Sequence, residues 1–183
     1  SKRILDSNII ETIGTEGRDI ITISVHTGLH RSGEFLRELL TKLLALEEFV
    51  FVWAVHPSIH EKVSMLYSQF KDLPKKNVVL LPSVLYTDFQ KLLSSSRLVI
   101  TDSGVTQEEA FLNSKPCIAL VNNEVRSSPY PMLVKSGWIN VLDDLDSLPE
   151  TVESLVRKNL GAPSRSIFGD GEASCKILDA ILN

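Results

Sequence analysis

Short apolar runs rich in β-branched residues alternate along this chain with amphipathic stretches of helical length. The runs lack a polar face, which is typical of strands that are buried on both sides of a sheet. Helical stretches between such strands cover the two faces, so the alternation predicts an α/β domain with a doubly wound parallel sheet. About six strands are predicted: Asp19–His26, Phe49–Val55, Asn77–Leu81, Arg97–Thr101, Pro116–Val121 and Trp138–Leu142.

The helices follow from apolar residues that recur at intervals of three and four positions. Residues 1–18 are predicted to form an N-terminal helix or linker, and residues 19–183 the domain itself. Within that domain, helices are predicted on both faces of the sheet, over Gly33–Glu48, Ser58–Phe70, Tyr86–Leu93, about ten residues after Gly104, Ser147–Leu160 and Glu172–Leu182.

Composition excludes several classes of protein. The 183 residues suit one domain, and 19 basic against 23 acidic residues give a net charge of −4, which argues against a nucleic-acid-binding face. The run Phe49–Val55 is far shorter than the ~20 residues that span a bilayer. Because no charged-then-apolar leader precedes the first strand, we expect a cytoplasmic protein without membrane contact.

Cysteine and histidine spacing gives no reason to expect a metal or a cofactor. Cys117 and Cys175 are too few for a disulfide framework or a zinc site, and both are predicted to be buried free thiols. His56 and His60 have the i, i+4 spacing of a helical metal pair, but no third ligand accompanies them.

Ligands of doubly wound sheets bind beyond the carboxyl ends of the strands. In Leu98–Glu109 a buried strand opens into a turn where Ser103 or Asp102 can cap the next helix. Free amides at a helix start can hold a phosphate near Ser103 and Gly104. Glu109 lies roughly 9 Å further along that helix, where a carboxylate can accept hydrogen bonds from ribose hydroxyls. The alternative is an ordinary capped helix with acids in its first turns.

Other candidate residues also follow strands. Phe89 can stack on a base or simply belong to the core. His26 and His56 each end a strand and can bind phosphate or transfer a proton, although a histidine in a loop often does neither. Arg126 lies in a long loop and offers bidentate anion binding, or it is a solvated surface residue. Glycine-rich dinucleotide, serine-hydrolase and P-loop motifs are all missing from the sequence.

Taken together and in this order, these motifs resemble the C-terminal half of the UDP-N-acetylglucosamine 2-epimerases. The resemblance rests mainly on Thr101–Glu109 (TDSGVTQEE) and Phe168–Ser174 (FGDGEAS), and it extends over nearly the whole chain from Asp19. Trp53–Pro57 (WAVHP) and Pro82–Phe89 (PSVLYTDF) support it. The family has two Rossmann-like halves in the GT-B arrangement, with a UDP-sugar held in the cleft between them.

The resemblance implies a role for each candidate residue. Phe89 would stack on uracil, Ser103 and Gly104 would hold the diphosphate, and Glu109 would bind the ribose. His26 would lie near the sugar and phosphates as the one catalytic candidate, and His56 and Arg126 would also bind the substrate. The family inverts carbon 2 by eliminating UDP and adding it back, with acid and base groups that come largely from the other half.

Three departures from the family pattern are visible. The segment His26–His30 reads HTGLH where the family has His-Arg-x-Glu-Asn, and Val105 replaces the second glycine of its DSGG motif. The loop around Arg126 keeps only the arginine of the family's Thr-Glu-Arg-Pro. These differences affect the expected reaction more than the expected binding of a nucleotide sugar.

Three functions are therefore considered for the parent protein. The first is a UDP-N-acetylglucosamine 2-epimerase, hydrolysing or not, of which this isolated chain would be an inactive half. The second is a GT-B glycosyltransferase, and the third is a non-catalytic UDP-sugar-binding module. The expected partners are UDP-N-acetylglucosamine or a related UDP-sugar, an N-terminal domain, and a second copy of the chain as a candidate.

Overall fold

A computed structural model describes residues 8–70, 77–121, 131–161 and 165–182. Its sheet has six parallel strands in the order β3-β2-β1-β4-β5-β6, which confirms the predicted doubly wound architecture. The strands are β1 (Asp19–Ser24), β2 (Phe49–Ala54), β3 (Val78–Leu81), β4 (Leu98–Thr101), β5 (Cys117–Leu120) and β6 (Ile139–Leu142).

The described helices connect these strands or flank the sheet. They are α1 (Ile9–Ile13), α2 (Gly33–Ala45), α3 (Pro57–Ser68), α4 (Tyr86–Ser95), α5 (Gly104–Leu112), α6 (Pro131–Lys135), α7 (Leu148–Arg157) and α8 (Ala173–Leu182). Two 3₁₀ turns, Gly28–Arg31 and Arg165–Phe168, complete the described elements.

Alternate residues of the strands point into separate cores on the two faces of the sheet. In β2, Phe51 and Trp53 pack with the apolar sides of α2, α3 and α7, whereas Val50 and Val52 pack with residues of α1 and α4. Phe111 of α5 belongs to a further cluster with Leu133 and Trp138. Both faces of the sheet are thus covered by helices, which explains why the strands are apolar throughout.

Polar residues fix the ends of several helices. Ser32 caps α2 by accepting a hydrogen bond from the Phe35 amide at 3.1 Å, and His56 caps α3 directly before Pro57. At the other end of α2, the Asn77 amide donates to the carbonyl oxygens of Leu43 and Leu46 at 2.9 and 2.8 Å. These bonds satisfy backbone groups that a helix end leaves unpaired.

The expectation of two buried thiols is only half right. Cys117 is buried in β5, and burial raises the pKa of its thiol. Cys175 is exposed, because the described residues of α8 all lie on the outside of the domain. The periodicity of α8 predicted a helix, but it did not predict that the apolar side of this helix is exposed.

Candidate functional site

The order of the strands places a crevice between β1 and β4. The chain crosses from one half of the sheet to the other there, and ligands of doubly wound sheets bind in that crevice. A cleft of about 310 Å³ opens nearby, at the carboxyl ends of β1 and β2. Its lining residues are Ser24, His26, Ala54, Val55, His56, Pro57, Ser83, Val84, Tyr86 and Phe89.

Two histidines stack in this cleft. The His26 and His56 rings lie nearly parallel, with centroids 4.7 Å apart and an angle of 12° between their planes. Burial lowers the pKa of His26, neighbouring His56 and Arg31 lower it further, and Asp102 opposes them. A neutral His26 imidazole can accept a proton near neutral pH.

Asp102 is buried next to His26, and several hydrogen bonds converge on its carboxylate. Its carboxylate accepts hydrogen bonds from the backbone amides of His26, at 3.1 and 3.0 Å, and Thr27, at 2.7 Å, and lies 3.0 Å from Nδ1 of His30. Burial alone would raise the Asp102 pKa, but these hydrogen bonds outweigh it and the pKa is lowered. An ionised Asp102 therefore ties the end of β1 to the end of β4.

Ser103, rather than Asp102, caps α5. Its hydroxyl accepts a hydrogen bond from the Thr106 amide at 3.4 Å, and its own amide donates to the Thr101 hydroxyl at 3.0 Å. A Cβ atom on Gly104 would meet nothing within 4 Å, so the space beside this first residue of α5 is open. Val105 is 64% exposed and points away from the core.

Glu109 lies half-buried six residues after Ser103 on α5, beside α4. Burial raises the pKa of its carboxyl group, although contacts with Tyr86 and Gln90 oppose the rise. The Tyr86 phenol is 65% exposed, and both burial and the neighbouring Glu109 raise its pKa. A neutral phenol can donate to the carboxylate and orient it.

Phe89 serves both the core and the cleft. It packs in part against the cluster around Phe111, and it also lines the cleft one turn after Tyr86. The packing agrees in part with the core aromatic that the sequence offered as one alternative. Stacking on a base, the other alternative, stays a prediction.

The structure brings together some of the predicted site residues but not all. His26, His56 and Phe89 line the cleft, whereas Ser103, Gly104 and Glu109 lie along α5 outside its lining. Arg126 falls outside the described residues. The hydrogen bonds that Asp102 makes with residues 26, 27 and 30 were not predicted, nor was the contact between Tyr86 and Glu109. Only Tyr86 had a local signal, since it lies three residues before Phe89 on the same helix face.

The described residues show neither a metal-binding cluster nor a membrane-spanning helix. These parts of the chain contain no group of three or more His, Cys, Asp or Glu side chains that could hold a metal ion. None of the helices described is both long and apolar enough to span a membrane.

A scan against protein families matches residues 1–182 to the model described as UDP-N-acetylglucosamine 2-epimerase. Proteins of that name from Salmonella borreze and Escherichia coli are each 30% identical to this chain, over 176 and 144 residues. These alignments cover 88% and 75% of this chain, but only 43% and 36% of the two relatives. The chain thus spans less than half the length of the curated relatives that it matches.

Solved structures show the same fold. The UDP-GlcNAc 2-epimerase of Methanocaldococcus jannaschii, crystallised with UDP-GlcNAc and UDP, superposes with a TM-score of 0.74 at 21% identity. The enzyme from Neisseria meningitidis bound to UDP-GlcNAc gives the same two values. Each superposition covers 99% of this chain and about half of the larger protein, 50% and 51%.

Proposed function

Because this chain belongs to the UDP-N-acetylglucosamine 2-epimerase family, we propose that it is the C-terminal, UDP-binding half of such an enzyme. Residues 19–183 form the nucleotide-sugar domain in this proposal, and residues 1–18 lead into it from the preceding half. Relatives bound to UDP-GlcNAc support the same ligand class for this chain.

One observation carries the proposal. An aromatic ring, a half-buried carboxylate and a capped helix start are linked by contacts and by the chain: Phe89 lines the cleft together with Tyr86, Tyr86 contacts Glu109, and Glu109 lies on the helix that begins at Ser103 and Gly104. A uridine diphosphate has three parts that match them: a flat base, a dianionic diphosphate and a diol. Aromatic faces hold bases, helix starts hold phosphates and carboxylates accept from ribose hydroxyls.

Calorimetry with UDP tests this assignment. We expect the isolated chain to bind UDP weakly, and Phe89→Ala and Glu109→Ala each to weaken it further. Loss of a stacked base or of a charge-assisted hydrogen bond costs about 1–3 kcal/mol, which corresponds to roughly 5- to 150-fold in affinity.

Glu108→Ala is the matched control, because it removes the same charge one position away on α5. It should leave the affinity within about twofold, since the proposal gives the Glu108 side chain no contact with UDP and a nearby charge without a direct partner contributes little. Phe89→Leu separates stacking from packing, because leucine keeps the apolar contact with the core. Equal affinity in the wild type, Phe89→Ala and Glu109→Ala would contradict the site assignment.

The reaction proposed for the whole protein is inversion at carbon 2 of UDP-GlcNAc, or hydrolysis of that sugar nucleotide to N-acetylmannosamine. No carboxylate is among the described residues that line the cleft, and we assign proton transfer in this half to His26, one of the two histidines in that lining. The remaining acid and base groups therefore belong to the preceding half. We expect the isolated 183 residues to show no turnover of UDP-GlcNAc.

Coupled detection of released UDP, together with NMR of the sugar, checks this expectation. The control is a mixture of this chain with the preceding half of the protein, which should restore turnover. Turnover by the chain alone would disprove the proposed division of the active site. A reconstituted protein that binds UDP-GlcNAc without turnover would favour the non-catalytic module, to which the unusual His26–His30 segment already points.

A further inference from the structure

The Asp102 carboxylate accepts several hydrogen bonds but makes none with the ring of His26, the catalytic candidate next to it. Asp102 is 1% exposed, and both of its oxygens accept from backbone amides at the end of β1. Its Oδ2 atom also lies 3.0 Å from Nδ1 of His30, which is 3% exposed. In contrast, Oδ1 lies 3.8 Å from Nδ1 of the His26 ring, too far for a hydrogen bond.

The protonation of these groups follows from their chemistry. An ionised carboxylate only accepts hydrogen bonds, so Nδ1 of His30 must carry the hydrogen that lies between the two side chains. The His30 ring is held in place by Phe35, whose ring centroid lies 4.5 Å away. The buried donor is thereby fixed on Oδ2, the oxygen that also accepts from the Thr27 amide.

We propose that His30 is a positioning residue for His26: its Nδ1–H holds the Asp102 carboxylate on the backbone amides of residues 26 and 27 and keeps it off the His26 ring. The positioning role of His30 rests on the proposed function only because that function gives His26 a role in the substrate cleft. Its geometric basis is the contrast between the 3.0 Å contact to His30 and the 3.8 Å separation from His26.

The consequence concerns the charge of His26. The titratable or charged groups that face it are Asp102 after β4, His56 after β2, and Arg31 from the 3₁₀ turn. Burial is the largest cause that lowers the pKa of His26; Asp102 raises the pKa, and His56 and Arg31 lower it further. Without the His30 donor, the carboxylate can turn toward the His26 ring and form the closer ion pair that favours the imidazolium. His30 thereby adds to the effect of burial, which already favours a neutral His26 that is able to accept a proton.

NMR titration of the imidazole resonances of the isolated chain tests the proposal. His30→Phe keeps a ring against Phe35 but removes the donor, and we expect the midpoint of His26 to rise by about one pH unit. His30→Asn loses the ring but places an amide donor near the position of Nδ1, and we expect it to keep the wild-type midpoint. A role in packing alone would give the opposite pattern, with the asparagine variant disturbed and the phenylalanine variant normal.

An unchanged midpoint in His30→Phe, or equal rises in both variants, would overturn the proposal. The wild-type chain offers a test that needs no substitution, because ¹⁵N shifts distinguish the two ring nitrogens of His30. We expect a protonated Nδ1, and an unprotonated one would also overturn the proposal. None of these measurements uses UDP, so a failure to bind UDP would refute the proposed function while leaving the result on His30 intact.

Discussion

Asp102 shows how one buried side chain can hold two neighbouring strands together at the carboxyl edge of a sheet. Its carboxylate accepts hydrogen bonds from the backbone amides of His26 and Thr27, and it lies against His30, which is 72 positions away in the sequence. We expect Asp102→Asn to lower the free energy of unfolding by about 3 kcal/mol at pH 7, because the amide cannot accept from all of these donors. Urea denaturation followed by fluorescence measures the difference.

The pH dependence of that difference has a definite sign. The folded-state pKa of Asp102 is lowered, so its contribution is fully present above the unfolded-state pKa of about 3.9. It is lost as the pH falls from there through the lowered folded-state value. Asp19→Asn, at the exposed start of β1, should change the stability by less than about 0.5 kcal/mol at any pH. A constant difference between wild type and Asp102→Asn down to about pH 3 would contradict this account.

At the scale of residues, sequence reasoning succeeds where the partner is close along the chain. The cap formed by Ser103 could be predicted, because its partner Thr106 is three positions away. The sequence allowed Asp102 the same role, yet the structure uses it for contacts with residues 26–30. That use depends on β1 and β4 being neighbours in the sheet, which no local spacing reveals.

At the scale of helices, α2 and α5 begin in the same way. Ser32 accepts from the Phe35 amide, and Ser103 accepts from the Thr106 amide, each three positions later. We expect Ser32→Ala and Ser103→Ala each to lower the free energy of unfolding by about 1 kcal/mol through loss of the cap. Under the proposed function, only Ser103→Ala should also weaken UDP binding, because only α5 starts where the diphosphate is placed.

Denaturation and calorimetry on the same two variants separate the effects. Ser32→Ala serves as the control for stability, since it loses an equivalent bond in a helix with no assigned ligand. A loss of UDP affinity of similar size in both variants would mean that weaker folding, rather than the missing hydroxyl, reduces binding.

Elements with a long periodic pattern were predicted within a few residues of their observed bounds. β2 was expected over Phe49–Val55 and is observed over Phe49–Ala54. The 3₁₀ turn Gly28–Arg31 and the five-residue helix α6 were not predicted, because one turn is too short to establish a period. This turn places His30 against Asp102.

At the scale of the whole molecule, the packed core contrasts with a cleft that opens at the carboxyl edge of the sheet. Helices cover both faces of the sheet, and Leu148, Val152 and Leu155 of α7 are buried in the larger core cluster. The cleft at the carboxyl edge is lined by residues from β1, β2 and the start of α4. The alternating pattern predicted ligand binding beyond the carboxyl ends of the strands, but the strand order and the stacking of His26 on His56 needed the structure.

The same contrast between a covered and an uncovered face gives a prediction for α7 and α8. Both helices are amphipathic, but Leu155 is buried whereas Ile181 and Leu182 are 75% and 78% exposed. We expect Leu155→Ala to lower the free energy of unfolding by about 2–5 kcal/mol, because it opens a cavity in the core. The double variant Ile181→Ser with Leu182→Ser should change it by less than about 0.5 kcal/mol, because neither side chain leaves water when this chain folds. Urea denaturation of the 183 residues compares the two, and a loss above about 1 kcal/mol in the double variant would show that α8 packs against this domain in solution.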